Sequence, residues 1–254
     1  MYKNYIFDLY GTLVDLHTNE DKPYLWKKMA ILYSCYGASY TSREFRQAYM
    51  RICEQKKLRL LNGVSQYTNK PISVGEIELL NVFDQLFTDK GVTPKPEETS
   101  MAAQTFRILS TSYIRLYDQV IAILEGLRSK GKKIYLLSNA QSCFTRRELV
   151  MLGIEQYFDG IFISSDWEHQ KPDPAFFEQL LLQYGLEKKE TIMIGNDPVS
   201  DIEGARGVGL DCLFINSGLP AQKDQVVNST YCISDGNMEQ MKRILLGSKT
   251  EENI

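Results

Sequence analysis

The sequence predicts an α/β protein, a doubly wound parallel sheet of Rossmann-like type with an inserted all-helical domain. Short, continuous apolar runs, typical of strands buried on both faces, occur at residues 5–7, 133–137, 160–163, 191–194 and 212–215. From about residue 119 to residue 216 these runs alternate with helical segments, an order typical of parallel sheets. Residues 17–100 instead carry long helix-periodic segments and no convincing buried strand.

The helical segments between the predicted strands have recognisable ends. Residues 119–130 have apolar side chains at helical spacing. In residues 173–184, Asp173 can cap the first turn, and Gly185 follows the last one. A further helix is predicted over residues 201–207.

The all-helical part of the chain is read as an insertion after the first strand. Its helix-periodic segments are residues 25–36, 42–61 and 74–88. The predicted division is therefore a Rossmann-like core, residues 1–16 and 105–254, and an all-helical inserted domain, residues 17–104.

Composition excludes several classes of protein. The 254 residues are 43% apolar and 11% aromatic, and the net charge is -3. A disordered chain would have few aromatic residues, and a nucleic-acid-binding domain would be basic. No run approaches the roughly 18 apolar residues of a membrane span. The apolar stretch at the N-terminus is too short for a secretory signal, and Asp8 interrupts it.

The cysteines and the charge balance set the expected surroundings. Five cysteines are scattered along the chain without a Cys-x-x-Cys pair, which argues against a thiolate zinc site and a disulfide framework. We therefore expect a cytoplasmic protein. The expected partner is a small-molecule substrate, with neither nucleic acid nor membrane, and both a monomer and a homodimer remain open.

The first candidate functional group follows the first predicted strand. In doubly wound sheets, ligands bind beyond the carboxyl ends of the strands. Asp8 at such an end can attack phosphorus or carbon directly, and Gly11 allows the backbone to turn sharply there. The hydroxyl of Thr12 can orient the carboxylate. Taken alone, an ordinary strand-to-turn Asp-x-x-Gly explains these residues equally well.

Three further groups follow later strands. Ser138 and Asn139 end the second strand, where a hydroxyl and a backbone N–H suit an anion. Lys171 precedes a capped helix and can place an ammonium over the site. Asp197 and Asp201 are four residues apart and suit a hard cation such as Mg²⁺. The alternatives are an ordinary loop, a solvated lysine and the N-capping of a helix, respectively.

Together, the four groups resemble the motifs of the haloacid dehalogenase superfamily of hydrolases. FDLYGTL at 7–13 resembles the first motif, LLSN at 136–139 the second, KPDPAFF at 171–177 the third, and IGNDPVSDIEGA at 194–205 the fourth. The resemblance covers about residues 1–16 and 105–235. The helical insertion lies where that family places its helical cap domain.

The resemblance implies a role for each matching residue. Asp8 would be the nucleophile, with Mg²⁺ as cofactor and Lys171 offsetting the negative charge of the nucleophile and the phosphate. The implied catalytic residues are Asp8, Tyr10, Thr12 and Lys171. The implied substrate-binding residues are Gly11, Ser138 and Asn139, and Thr12 would also contact the phosphoryl group. The implied metal ligands are Asp8, the backbone carbonyl of Tyr10, Asp197 and Asp201.

Two positions depart from the family's phosphatases. Those enzymes usually carry an aspartate two residues after the nucleophile, as the general acid and base. This chain has Tyr10 there, and a phenol with a pKa of about 10 is a poor base near neutral pH. The second departure is Asn196, where many members have an acid. Asp197 follows directly and keeps a three-residue gap to Asp201.

Three functions remain open at this point. The leading one is a Mg²⁺-dependent phosphatase of a small phosphorylated metabolite, indicated by Lys171 with Asp197 and Asp201. The second is a metal-independent 2-haloacid dehalogenase, because those members of the family also carry tyrosine at the position of Tyr10. The third is a catalytically weak binding protein on the same fold, which Tyr10 and Asn196 would explain.

The dehalogenase hypothesis needs one more residue. The cap of those enzymes supplies an arginine for the carboxylate of the substrate. Arg43, Arg46 and Arg51 are the candidates in this chain, although a solvated helix face is the simpler explanation for all three.

Overall fold

A computed structural model describes residues 2–217 and 227–247, so residues 1, 218–226 and 248–254 of the predicted core lie outside the described part. Its strands are β1 (Asn4–Phe7), β2 (Val14–Thr18), β3 (Thr111–Leu116), β4 (Lys133–Ser138), β5 (Gly160–Ile163), β6 (Thr191–Gly195), β7 (Asp211–Ile215) and β8 (Tyr231–Ile233). Six of them form a parallel sheet in the order β5-β4-β1-β6-β7-β8, and β2 pairs with β3 separately. All five predicted strands are confirmed within one residue at each end.

Helices connect and cover the strands. They are α1 (Pro23–Cys35), α2 (Ser42–Leu61), α3 (Leu80–Thr88), α4 (Pro96–Ser110), α5 (Val120–Ser129), α6 (Ser142–Met151), α7 (Pro174–Tyr184), α8 (Gly204–Gly207) and α9 (Met238–Leu246). The helix predicted over 201–207 differs, since a π-helical segment, Pro198–Glu203, precedes α8. Among the described residues, no helix is both long and apolar enough to cross a membrane.

The central strand explains the continuous apolar runs. Tyr5 and Phe7 of β1 pack into the hydrophobic cluster on one face of the sheet, while Ile6 packs into the cluster on the other face. Side chains of a strand alternate between the two faces, so a strand covered on both sides must be apolar at every position.

The register of β1 places the candidate residues at one edge. Phe7 lies opposite Leu136 of β4 and Ile194 of β6. Asp8 therefore emerges where Ser138 ends β4 and where the loop after β6 begins. This is the carboxyl edge of a parallel sheet, where ligands of doubly wound folds bind.

The sequence did not reveal three strands, for a physical reason. Leu16 of β2 pairs with Ile114 of β3 in an antiparallel ribbon whose side chains are mostly half-buried or exposed. Such strands carry no continuous apolar run, which was the signal used. Strand β8 has only three residues, two of them exposed.

The helical insertion packs around its own aromatic core. Trp26, Tyr33 and Phe45 are buried in it, and the rings of Tyr33 and Phe45 lie 4.8 Å apart. Helix α4 adds Phe106, whose ring lies 5.8 Å from that of Trp26. The predicted boundary between residues 104 and 105 thus falls inside a helix that packs with the insertion.

The helix predicted over residues 74–88 forms only in part, because α3 begins at Leu80. The preceding residues run against the core instead, where the N–H of Glu76 donates to the carbonyl of Glu168 at 3.2 Å. Tertiary contacts take the place of helical hydrogen bonds, so the helix prediction is wrong for residues 74–79.

A first prediction concerns Gly195, at the end of β6. A Cβ at this position would lie 2.3 Å from a carboxylate oxygen of Asp201, so either β6 or the side chain of Asp201 must shift. We expect Gly195→Ala to lower the free energy of unfolding by about 1–3 kcal/mol in urea denaturation. Gly207→Ala is the control, because its Cβ would meet nothing within 4 Å. Equal losses in the two variants would contradict this reasoning.

Candidate active site

Each carboxylate oxygen of Asp8 has its own hydrogen-bond partner. It is 7% exposed, and its backbone N–H donates to the carbonyl of Ile194 at 2.9 Å, extending the β1–β6 pairing. One carboxylate oxygen lies 2.7 Å from Nζ of Lys171, and the other accepts the hydroxyl of Thr12 at 3.2 Å. The carboxylate thus has a fixed orientation at the sheet edge.

Lys171 joins two carboxylates. Its ammonium lies 2.7 Å from an oxygen of Asp8 and 2.7 Å from an oxygen of Asp201, and all three side chains are buried. Burial alone would lower the pKa of Lys171, but the two carboxylates raise it above its ordinary value. Burial raises the pKa of Asp201 to about 6, helped by the charge of Asp8 and opposed by Lys171. One positive charge therefore faces two acidic groups.

Ser138 and Asn139 lie beside this pair but differ in what they contact. The hydroxyl of Ser138 is buried and has no hydrogen-bond partner among the described residues, an arrangement that a ligand can complete. The side-chain amide of Asn139 is bound to the backbone of Lys171 at both ends, accepting its N–H and donating to its carbonyl, each at 2.8 Å. The Asn139 side chain therefore holds the lysine loop in place.

The turn after Asp8 is shaped around Asn196. Gly11 has a φ of +85°, and a Cβ on it would lie 2.4 Å from the amide nitrogen of Asn196, so only glycine fits. The hydroxyl of Thr12 lies 3.2 Å from the amide oxygen of Asn196 as well as from Asp8, so its one hydrogen is shared between the two acceptors. Asn196 thus lies next to the loop that carries Asp8, Gly11 and Thr12.

Asp197 lies at the surface of the site. It is exposed, and its carboxylate accepts the N–H groups of Val199 and Ser200 at 2.9 and 2.7 Å, as an N-cap does. Within ranges 2–217 and 227–247, no three His, Cys, Asp or Glu side chains converge as they would around a metal. Lys171 binds both Asp201 and Asp8 and so links the two carboxylates, whereas Asp197 caps the turn that follows it.

Tyr10 is bound into a network away from the Asp8 carboxylate. Its phenol donates to Glu148 and lies 2.9 Å from the hydroxyl of Thr145. Arg107 binds Glu148 through two nitrogens, at 2.6 and 3.2 Å. Burial, followed by the charge of Glu148, raises the pKa of Tyr10 far above its ordinary value. The phenol is therefore protonated near neutral pH and cannot serve as a base.

Two residues of this network, Arg107 of α4 and Glu148 of α6, were not among the predicted site residues. One signal was present. Glu148 shares a helix face with Phe144, Thr145 and Leu149, all buried. A charge on an otherwise buried face indicates a partner from elsewhere, although it does not say which one.

A cavity of about 500 Å³ lies between the insertion and the core. Tyr10 and Asn139 line it from the core, and Lys57 and Glu76 line it from the insertion. Burial raises the pKa of Glu76 to about 7, against the effects of Lys57 and Gln141. This volume is within the usual range for small-molecule sites.

The candidate arginines of the insertion do not reach this cavity. Arg46 pairs with Asp21 at 2.9 Å, and Arg51 pairs with Asp89 at 3.0 Å, in both cases at the surface. Arg43 is exposed as well. Among the described residues, the arginine that lines the cavity is Arg107, and its guanidinium already forms an ion pair with Glu148.

Sequence comparison places these residues in a family of hydrolases. Residues 2–209 match the haloacid dehalogenase-like hydrolase family. The chain is 28% identical to a glyceraldehyde 3-phosphate phosphatase of Methanothermobacter thermautotrophicus over 59% of this chain and 68% of that protein. It is 29% identical to a phosphoserine phosphatase of Thermus thermophilus over 56% of this chain and 60% of that protein.

Solved structures share the fold over nearly the whole chain. A 2-haloacid dehalogenase from Pseudomonas syringae aligns with a TM-score of 0.63 at 18% identity, covering 96% of this chain and 98% of that chain. A HAD phosphatase from Thermococcus onnurineus aligns with a TM-score of 0.55 at 21% identity, covering 97% and 99%. With the family match over most of the sequence, the conclusion is plain: this chain belongs to the haloacid dehalogenase-like hydrolase family.

Proposed function

We propose that the protein is a Mg²⁺-dependent phosphatase of a small phosphorylated metabolite, acting through a covalent aspartyl phosphate on Asp8. The observation that carries the proposal is the buried group of Asp8, Lys171 and Asp201, in which two carboxylates share one ammonium at 2.7 Å each. The names of the sequence relatives, several of them phosphatases, support the same reaction class.

The residues present fit a magnesium ion. Asp8 and Asp201 bring two carboxylates to one ammonium, so the buried group carries one negative charge in excess when both carboxylates are ionised. Mg²⁺ is commonly bound by one or two carboxylates and by water and substrate oxygens. We assign its binding to Asp8 and Asp201, with the backbone carbonyl of Tyr10. When bound, the ion would neutralise charge on the phosphoryl oxygens.

The protein groups then have distinct tasks. An oxygen of Asp8 attacks phosphorus, the bond to the leaving oxygen breaks, and water later hydrolyses the aspartyl phosphate to regenerate the carboxylate and release phosphate. Lys171 offsets negative charge during both steps. The unpaired hydroxyl of Ser138 donates to a phosphoryl oxygen. Because Tyr10 is committed to Glu148, the leaving oxygen takes its proton from water.

The helical insertion acts as the cap of this enzyme. It supplies Lys57 and Glu76 to the cavity whose other wall contains Tyr10 and Asn139. A cavity of about 500 Å³ admits a metabolite rather than a macromolecule. The scattered free cysteines support a reducing, cytoplasmic environment.

The second candidate is a 2-haloacid dehalogenase, which Tyr10 favours because halide leaves without a proton. Against it, the arginine nearest the cavity, Arg107, already binds Glu148 and leaves no unpaired guanidinium in the described lining for a carboxylate. A catalytically weak binding protein is the third candidate, and it predicts that Asp8→Asn leaves the biological role intact.

The reaction itself gives the second prediction. We expect phosphate release from a panel of small phosphate esters that needs Mg²⁺ and stops with EDTA. Asp8→Asn should lower kcat by at least about 10³-fold, because the nucleophile is lost. Asp15→Asn, in the β2–β3 ribbon, is the control and should stay near wild type. Halide release from 2-chloropropionate in EDTA, without phosphate release, would instead establish the dehalogenase.

The third prediction uses a matched pair of variants to distinguish the roles of Asp197 and Asp201 in metal binding. We expect Asp201→Asn to raise the Mg²⁺ concentration for half-maximal activity by about tenfold or more, since a charged ligand is lost. Asp197→Asn should change it little, because asparagine also caps helices. The reverse order of effects would assign the metal to Asp197.

A fourth prediction concerns Tyr10→Phe. Removal of the phenol should change kcat by less than about threefold, because the hydroxyl takes no part in proton transfer. It should lower the free energy of unfolding by about 1–2 kcal/mol, because Glu148 loses a donor. A kcat loss within the range of about 10²–10⁴-fold typical of general acid–base catalysis would show that the phenol is catalytic.

A further inference from the structure

The turn that carries Lys171 is closed by a buried histidine–aspartate pair. Nδ1 of His169 lies 2.9 Å from a carboxylate oxygen of Asp173, and His169 is fully buried. Burial alone would raise the pKa of Asp173, but the N–H of Ala175 and then His169 hold it below its ordinary value. An ionised carboxylate can only accept, so Nδ1 of His169 donates to it.

Two hydroxyl groups of the insertion complete this network. On the other side of the ring, Nε2 of His169 lies 2.7 Å from the hydroxyl of Thr68. The hydroxyl of Ser73 donates to Asp173 at 3.0 Å. Thr68 and Ser73 lie between α2 and α3, whereas the histidine and the aspartate flank Lys171 in the core. Hydrogen bonds therefore join the insertion to both ends of the lysine turn.

The main chain approaches closely at the same junction. Gly75 of the insertion forms an antiparallel bridge with His169. A Cβ on Gly75 would lie 2.8 Å from the carbonyl oxygen of Glu168, so the two backbones leave no room for a side chain. The next residue, Glu76, lines the cavity between insertion and core. One short segment thus contacts both the lysine turn and the proposed substrate space.

We propose that Thr68, Ser73 and His169 are positioning residues that align the ammonium of Lys171 with Asp8. The catalytic consequence rests on the proposed phosphatase function. Lys171 must satisfy two carboxylates at once, so a small displacement of its turn weakens both contacts.

The fifth prediction tests this with a matched pair at Thr68. Thr68→Val keeps the shape but removes the hydroxyl, whereas Thr68→Ser keeps it. We expect Thr68→Val to lower kcat by about 10- to 100-fold, with KM within about threefold of wild type, and Thr68→Ser to restore kcat. Lys70→Met, which breaks only the exposed ion pair with Glu178, is the control and should behave as wild type.

Hydrogen exchange gives a readout that does not depend on activity. The backbone amides of His169, Lys171 and Asp173 should exchange faster in Thr68→Val and in Ser73→Ala than in Thr68→Ser or wild type. Equal kcat in Thr68→Val and Thr68→Ser, or equal exchange of these amides, overturns the proposal. If the wild-type protein releases no phosphate from any ester, the proposed function fails, and the exchange comparison still decides whether the hydroxyl network holds the lysine turn.

Discussion

The buried ammonium of Lys171 is the interaction on which the rest of the site depends. Two carboxylates in a region poor in water repel each other and are costly to bury, unless a cation pairs with both. Asp8 and Asp201 each lie 2.7 Å from this nitrogen. Three other features keep the nitrogen there: the carboxyl edge of the sheet, the side-chain amide of Asn139, and the turn closed by His169.

The network around Tyr10 changes the chemistry that this edge can perform. In the family's phosphatases the residue at this position moves protons, but here the phenol is fixed by Glu148 and Thr145. Arg107 neutralises Glu148, so the network is balanced in charge and ties α4 to α6. Tyr10, Thr145 and Arg107 also line the cavity between the insertion and the core.

The segment between α2 and α3 shows why local propensity is an incomplete guide. Residues 74–79 extend the helix-periodic pattern of the following helix, yet their backbone is bound to the core near Glu168 and His169. Each hydrogen bond to the core replaces one that a helix would make, and Gly75 permits a close approach that other residues would prevent. The result is a connection between the insertion and the lysine turn that no periodicity indicates.

The sequence alone predicted five of the six strands of the parallel sheet. A strand buried on both faces must be apolar throughout, and parallel strands present their carboxyl ends at one edge, so Asp8 and Ser138 could be located there in advance. Only the tertiary structure decided where individual polar groups point. Asp197 caps a turn, Asn139 holds a backbone, and Tyr10 binds a glutamate 138 positions away. These contacts depend on distances between chain-distant atoms, which a pattern of residue types does not contain.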